Sequence, residues 1–561
     1  MFIHHLQIEN FRGIASLDST FGRGFTALVG PGDSGKTTVL DALSFLFHPH
    51  WALNLTDNDF LNGSPENEIR IRATVADPPI ELLGDRAFFS HLRGIDAETG
   101  NEVDEPEDHI PALTCELRVG ADFEPAWKVI CDRHAEGLTL SAASRRKFGV
   151  RRITSADSHL RWNSSSSLQQ LTDRSEAQET ETVLRQVSRE ARVSAKTQLE
   201  KFDEAVQQVT IEARRLRAID SHASLTAELD ADVAAMTRGS VALHDNGLPV
   251  ARGGLGSRRL VSIGVQTVAE AGANVLLIDE LESGLEPSRI RHLLRHLGSA
   301  DDVSRQVFAT THSPIVLREL RFDQLKVLRN ATGTLELLSP LEQAQATLRI
   351  HTEAFLAPKV LVCEGATEVG FVRQVSAAAE VTNPSLIGVA VPTDAGGDSK
   401  IQACAMEFHR LKYQVAILCD DDNPDLEFSD LPGEIVILRC DAGVSIEQQV
   451  IHNLNADGLR GVLDVGVAHS GRDSVASRLL SAGLSLQDVE AQLDTEQLKD
   501  GTRLGAVGTI IATAAMTGKW FKSVNGGEEL GRLASDSTLS ISRENLDPFV
   551  DRIAHWCVSN G

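Results

Sequence analysis

Gly30-Pro31-Gly32-Asp33-Ser34-Gly35-Lys36-Thr37 decides the reading of this chain, because it meets the pattern G-x-x-x-x-G-K-[ST] at every fixed position. Its flanks agree with it. Phe25 to Val29 is a short apolar run of strand character, and Thr38 to Phe47 carries a helical pattern. A glycine-rich turn entering a helix presents main-chain N–H groups where the helix dipole adds positive potential, so it cradles phosphates. In that geometry Lys36 reaches the β- and γ-phosphates and the Thr37 hydroxyl holds Mg²⁺. Gly30, Gly32, Asp33, Ser34, Gly35 and Thr38 complete the cradle. The expected ligand is a nucleoside triphosphate.

Composition bounds the rest. A chain of 561 residues is too long for one core, so several domains are expected. No apolar run reaches the eighteen or so residues that span a bilayer. The longest, Leu504 to Met516, is broken by Gly505, Gly508 and Thr509, and the N-terminal residues carry no basic secretory n-region. No membrane association is expected. Seven cysteines without a C-x-x-C pair argue against a zinc ribbon or a disulfide framework, and a reducing cytoplasm fits. The net charge of −25 weighs against general nucleic-acid affinity, although a basic channel within an acidic shell remains compatible with it. Arg145-Arg146-Lys147, Arg151-Arg152 and Arg214-Arg215-x-Arg217 are candidate patches, each more readily a solvated face than a DNA contact.

Strand-like runs at Ile3 to Glu9, Ile69 to Val75, Ala112 to Val119 and Ala126 to Cys131 surround the glycine-rich loop in sequence. From Arg151 to Thr237 there is no Gly or Pro, and Leu184, Val187, Ala191, Ala195, Leu199, Phe202, Val206 and Val209 recur every three or four residues. That spacing predicts a long amphipathic helix whose seam packs inside one protomer or against a second. Strand–helix order returns at Val275. A fresh strand at Lys359 to Cys363 opens a second α/β region with further strands at Leu386 to Val391, Val415 to Leu418 and Glu434 to Arg439.

Val275-Leu276-Leu277-Ile278-Asp279-Glu280 reads as a buried strand ending in two carboxylates. Asp279 suits Mg²⁺ coordination and Glu280 suits polarising an attacking water. Ser283-Gly284-Leu285-Glu286 follows, then Thr310-Thr311-His312-Ser313 after another strand. This order resembles the ABC-type ATPases of the chromosome-maintenance and recombination group, as does the opening Asn10-Phe11-Arg12-Gly13. The resemblance implies ATP as the nucleotide and His312 as a switch histidine on the γ-phosphate. It also implies a signature loop that caps ATP on a second protomer, hence a homodimer or higher homo-oligomer. Arg252-Gly253-Gly254-Leu255-Gly256-Ser257-Arg258 lies at the right distance for that loop, with Gly256 and Ser257 as nucleotide contacts, but departs from the usual Ser-Gly-Gly. No glutamine is assigned to the Q-loop.

In the second region, Val360-Leu361-Val362-Cys363-Glu364-Gly365 puts Glu364 at a strand tip, and Val415 to Cys419 ends in Asp420-Asp421-Asp422. Two strand ends in a parallel sheet converge one Glu and a D-x-D pair, a set that calls for Mg²⁺ or Mn²⁺ to offset its charge. Metals held so stabilise attacking and leaving oxygens of a phosphodiester. The combination resembles the Toprim domain. A P-loop ATPase followed by Toprim resembles the overcoming-lysogenization-defect (OLD) family of nucleases, which includes the nuclease subunit of the Gabija defence system. From that resemblance Glu368 and Glu447 are implied as further metal ligands beside Asp420 and Asp422. Lys519 or Lys522 is implied as the lysine that neutralises transition-state charge.

The expected architecture is therefore α/β: an ABC-type P-loop ATPase in residues 1–155 and 238–345, a helical dimerisation insert at 156–237, and a Rossmann-like Toprim domain at 346–561. The expected activity is ATP-dependent, metal-dependent cutting of DNA in antiviral defence or DNA processing, with a helicase or sensor protein as a further partner. The rival is a non-nucleolytic, ATP-driven DNA clamp or repair factor. Strand passage by a topoisomerase needs a tyrosine, and the one present, Tyr413, sits where packing is expected.

Overall fold

The computed structural model describes all residues except 84–85, 154–161, 163–167, 169–201, 217, 220–223, 230–240, 270–273, 299–304, 383–389, 422, 424–426, 495–500, 537, 540–542 and 559–561. They form two compact units, Met1–Glu342 and Gln343–Gly561.

The first unit is built on one sheet with two characters. Its strands are β1 (Phe2–Phe11), β2 (Ile14–Thr20), β3 (Phe25–Val29), β4 (Ile69–Ala76), β5 (Arg93–Ile95), β6 (Glu102–Val103), β7 (Ile110–Val119), β8 (Pro125–Cys131), β9 (His134–Thr139) and β10 (Val150–Ile153). After β11 (Leu225–Leu229), β12 (Val241–Asp245) and β13 (Leu248–Pro249), which make a small sheet of their own, come β14 (Val275–Ile278), β15 (Gln306–Thr310), β16 (Leu325–Ala331) and β17 (Thr334–Leu338). The main sheet runs β10-β14-β15-β3-β16-β17-β2-β1-β4-β7, then β5 and β6, with β8 also paired to β7 and β9 to β8. From β10 to β16 neighbours are parallel, whereas β1, β2, β4, β7 and β8 form antiparallel pairs. The parallel strands β3, β14 and β15 are buried along their whole length, as continuous apolar runs require. β15 lies between β3 and β14, so the loops that follow these three strands open on one edge.

One finding differs from the sequence expectation for the insert. Leu225–Leu229 is a strand paired antiparallel with Val241–Asp245, inside a stretch expected to be helical. The described end of the apolar seam belongs to the helix Asp203–Arg215, where Val206 and Val209 are buried. That helix lies against the helix Leu255–Ala269 of the same unit, with Gly264 facing Leu216 and Glu212. Phe202 is buried against Trp162 at a ring separation of 4.7 Å. These described seam residues are covered within the chain. The seam from Leu184 to Leu199 lies outside the described residues.

The second unit carries a parallel sheet of four strands in the order β19 (Ala390–Asp394), β18 (Lys359–Cys363), β20 (Gln414–Cys419), β21 (Val436–Arg439). The strand expected at Leu386 to Val391 is described from Ala390 onward. Helices Ala366–Thr382, Ala456–Ser470, Gly501–Gly518, Val524–Ser535 and Arg543–Val558 supply much of one apolar core, while Asp398–Arg410 packs through Phe408 against Phe355 and Tyr413. Tyr413 is buried there and donates its hydroxyl to the Phe355 carbonyl at 2.7 Å, a packing role.

Candidate functional site

β3 delivers the chain into the loop Gly30–Gly35, and the helix Lys36–Leu46 follows at once. Gly35 turns the chain with φ +94°, a conformation glycine adopts without strain, and no side chain caps the first helical amides. Those amides are the donors a phosphate would take. Lys36 is buried and folds back over the loop, donating to the carbonyls of Gly30 (3.0 Å) and Pro31 (2.7 Å) and to Ser34 Oγ (3.3 Å). Burial pushes its pKa down, against the opposing pull of Asp33, Asp279 and Glu282. Gly32, Asp33 and Thr37 are exposed beside it and Thr38 is half-buried.

The edge formed by β14 and β15 completes the arrangement. Thr37 donates its hydroxyl to Asp279 Oδ1 at 3.1 Å, so the two groups expected to share Mg²⁺ are adjacent. Thr310, at the end of β15, donates to the same oxygen at 2.6 Å and accepts the Glu280 N–H at 2.8 Å. Glu280 is exposed on a left-handed residue with φ +45°. Glu282 is fully engaged, accepting from Thr311 Oγ1 (2.8 Å) and from the His312 N–H (2.7 Å). It anchors the loop that presents the exposed His312 ring. The glycine-rich loop at 253–257 starts the helix Leu255–Ala269, and Ser257 Oγ accepts from Arg289 at 2.9 Å.

Sequence reading missed a second layer around Asp279. Arg152 on β10 donates to Asp279 Oδ2 at 3.0 Å and pairs with Asp41 on the P-loop helix. Arg12 pairs with Asp41 too, and with Asp59 at 3.0 Å. One residue of a basic-patch candidate is not available as a surface charge, whereas Arg146 and Lys147 beside it are exposed. Arg145 is buried, its guanidinium 3.7 Å from the Trp127 ring centroid and bonded to the carbonyls of His48, Leu140 and His50. It is a structural cation.

In the second unit the carboxylates meet at the carboxyl ends of β18 and β20. Glu364 follows β18, and its Oε2 accepts the Asp420 N–H at 3.2 Å across to β20. Glu368, one turn into the next helix, accepts the Gly365 N–H at 2.9 Å and is buried. Asp420 is buried and accepts the Ile446 N–H at 2.8 Å, which draws the helix Ile446–Ile451 and its Glu447 to the same place. Burial, then the charges of Glu368 and Glu447, lifts Asp420 to a pKa of about 8, and burial with Glu447 lifts Glu368 to about 7. Glu364 is raised by burial, by its hydrogen bond to Asp398 and by Asp420. Asp421 turns away to Arg439 (3.1 Å) and the Gly443 N–H (2.9 Å), and Asp422 lies outside the described residues.

Lys522 Nζ stands 3.0 Å from Glu447 Oε1, while Lys519 is exposed on the preceding turn. Glu447 is 1% exposed, and its other oxygen, Oε2, is buried without a hydrogen-bond partner. Among the described residues, no three His, Cys, Asp or Glu side chains are close enough as they stand to enclose an ion. The orphaned Glu447 oxygen and the mutually raised carboxylates nevertheless fit a divalent cation, since such a site carries excess negative charge. Asp398, held by Asn423 at 2.9 Å, was not foreseen as a partner of Glu364. The pair Gly396-Gly397 before a helix was the signal available for it.

Fold and site together give the first unit the arrangement of a P-loop ATPase domain, with a phosphate-binding loop set against Asp279. Residues 1–107 and 151–317 match the family model described as an AAA ATPase domain. The chain is 25% identical over 346 residues to an OLD nuclease of Thermus scotoductus, covering 58% of this chain and 62% of the relative. It is 32% identical over 114 residues to the DNA replication and repair protein RecF of Mannheimia succiniciproducens, covering 20% of this chain and 32% of that one. The chain thus spans less than two thirds of either relative. Among solved structures, an Smc head bound to the C-terminal winged-helix domain of ScpA aligns with 62% of this chain and all of its own, at 14% identity and a TM-score of 0.39. No helix among the described residues is long and apolar enough to cross a membrane.

Proposed function

We propose that this chain is an ATP-dependent, metal-dependent DNA endonuclease of the OLD type, whose second unit is a Toprim nuclease domain. The observation that carries the reading is the meeting of Glu364, Glu368, Asp420 and Glu447 at two adjacent strand ends, with Lys522 against Glu447. Glu364, Glu368, Asp420 and Glu447 would hold Mg²⁺ or Mn²⁺, with Asp422 as a further ligand. The bound cation would activate the attacking water and stabilise charge on the phosphodiester oxygens. Lys522 adds a cation on the side of Glu447, suited to the charge that develops on the phosphate. In the first unit Lys36 and the loop amides bind the phosphates, Thr37 and Asp279 hold Mg²⁺, and Glu280 polarises the water.

DNA as substrate, a homodimer joined through the loop bearing Gly256 and Ser257, a cytoplasmic place and a role in antiviral defence extend this reading. A helicase or sensor protein as further partner belongs to the same extension. A second reading has its own support in the RecF match: an ATP-driven DNA clamp that does not cut. Nicking of supercoiled plasmid in Mg²⁺ or Mn²⁺, by the parent and by Glu364→Gln, separates the two. Cutting that the variant loses supports the nuclease; no cutting by either favours the clamp.

A further inference from the structure

Arg259 is buried one turn into the helix Leu255–Ala269, and its Nη2 donates to two main-chain carbonyls at once, Asp279 at 2.7 Å and Glu280 at 2.6 Å. Those carbonyls belong to the residues that leave β14 for the nucleotide site. Glu280 itself is held at φ +45°, in the left-handed region that non-glycine residues avoid. A residue stays there only when its surroundings fix both of its sides. Here the fixing is complete: Thr310 Oγ1 accepts the Glu280 N–H at 2.8 Å, and Arg259 takes its carbonyl. The same helix is tied to the segment beyond Glu280. Gly256 lies so close to the Gly284 carbonyl that an added Cβ would sit 2.6 Å from it, and Ser257 Oγ accepts from Arg289.

We propose that Arg259 is a positioning residue for ATP hydrolysis, which holds the Glu280 main chain in its left-handed turn and so aims the Glu280 carboxylate. It couples the glycine-rich loop at the start of its helix to that carboxylate, because both ends of the coupling are rigid. A contact made at Gly256 or Ser257 shifts the helix, the helix carries the guanidinium, and the guanidinium carries the two carbonyls. The guanidinium suits the task, since one nitrogen reaches both oxygens and a fixed plane resists rotation. The inference rests on the reading of Glu280 as the group that polarises water.

The test compares the parent, Arg259→Ala, Arg259→Lys, Glu280→Gln and the double variant Arg259→Ala/Glu280→Gln in the full chain. ATP turnover and the affinity for a fluorescent ATP analogue are both measured. Arg259→Ala should lower kcat by about tenfold or more while the Kd of the analogue changes less than about threefold. Arg259→Lys should recover part of the loss. The double variant should be no slower than Glu280→Gln, since the two residues act through one carboxylate. Arg259→Ala turning over at the parent rate beside a slow Glu280→Gln would overturn the positioning role. So would additive losses, or a loss carried by Kd. If Glu280→Gln itself turns over normally, the assignment of Glu280 fails instead. Should Arg259→Ala not fold, the lysine variant carries the test, with its kcat lowered at unchanged Kd as the expected result and parent kcat as the overturning one.

Discussion

Lys522 Nζ lies 3.0 Å from Glu447 Oε1, although the two residues come from different elements and Glu447 is almost wholly buried. The lysine's pKa is raised in spite of burial, through the charge and hydrogen bond of Glu447 and the charges of Glu368 and Asp420. Lys519 is exposed on the turn before Lys522. Lys522→Ala should therefore lower plasmid nicking by about 100-fold, the scale for losing one transition-state donor. Lys519→Ala should stay within about threefold of the parent. The reverse ranking would assign the catalytic role to Lys519.

The two units should be separable by single substitutions. Asp420→Asn removes a charge from the second unit's carboxylates and should abolish nicking while ATP turnover stays within about twofold. Lys36→Ala removes a phosphate-binding charge in the first unit and should weaken nucleotide affinity. Glu280→Gln should bind ATP yet turn it over slowly. A parent-like nicking rate from Asp420→Asn would remove this strand end from the reaction.

Where function hangs on local sequence, the sequence is legible. The loop from Gly30 to Thr37 needs only its own glycines and the strand before it, and β18 runs over the expected residues Lys359 to Cys363. Partners brought by sheet order are another matter. Asp398 reaches Glu364 because β19 lies beside β18, and Arg152 reaches Asp279 because β10 pairs with β14; neither neighbour is implied by spacing. The seam around Val206 announces burial but not the surface that covers it, which here is the chain's own helix Leu255–Ala269. Leu225–Leu229 shows the converse limit. A stretch without Gly or Pro permits a helix, but pairing with β12 makes these residues a strand.

The raised carboxylates give the protein's stability a pH dependence of definite sign. Glu368 and Asp420 titrate near 7 and 8 when folded, above their ordinary values of 4.5 and 3.8. Between the ordinary and the folded values, the folded state binds more protons than the unfolded one. Their contribution therefore falls as pH rises from about 4 to about 8. A divalent cation offsets the repulsion, so the gain in melting temperature on adding Mn²⁺ should be larger at about pH 8 than at about pH 6. Asp420→Asn should flatten that difference. A Mn²⁺ shift that is equal at both pH values would contradict the site.

Arg145 makes a contrasting prediction, about stability rather than binding. Its removal strips three carbonyls, those of His48, Leu140 and His50, of their donor and opens space beside Trp127. Arg145→Ala should cost about 3 kcal/mol, read as a lowered denaturation midpoint of the first unit. Arg145→Lys should recover little, because an ammonium cannot reproduce the guanidinium fork. Loss of DNA affinity at unchanged stability would restore the basic patch that burial of this residue rules against.

The lysine-bearing turn is held in place by a helix contact that leaves no room for a methyl group. Helices Ala366–Thr382 and Val524–Ser535 touch through Gly370 and Gly527, and a Cβ added to Gly527 would fall 2.1 Å from the Thr367 carbonyl oxygen. Thr367 precedes Glu368 and donates its hydroxyl to the Phe521 carbonyl at 3.0 Å, just before Lys522. Separating these helices therefore moves Lys522 away from the carboxylates. Gly527→Ala should cost about 1 to 3 kcal/mol, as overpacking does. It should also lower nicking by at least about tenfold, the penalty for a misplaced catalytic group. ATP turnover in the first unit should be unchanged. Gly505→Ala is the control, since nothing lies within 4 Å of a Cβ there and the helix gains a better former. It should leave nicking intact and slightly raise stability. If Gly527→Ala melts and nicks like the parent, the close helix contact does not set the position of Lys522.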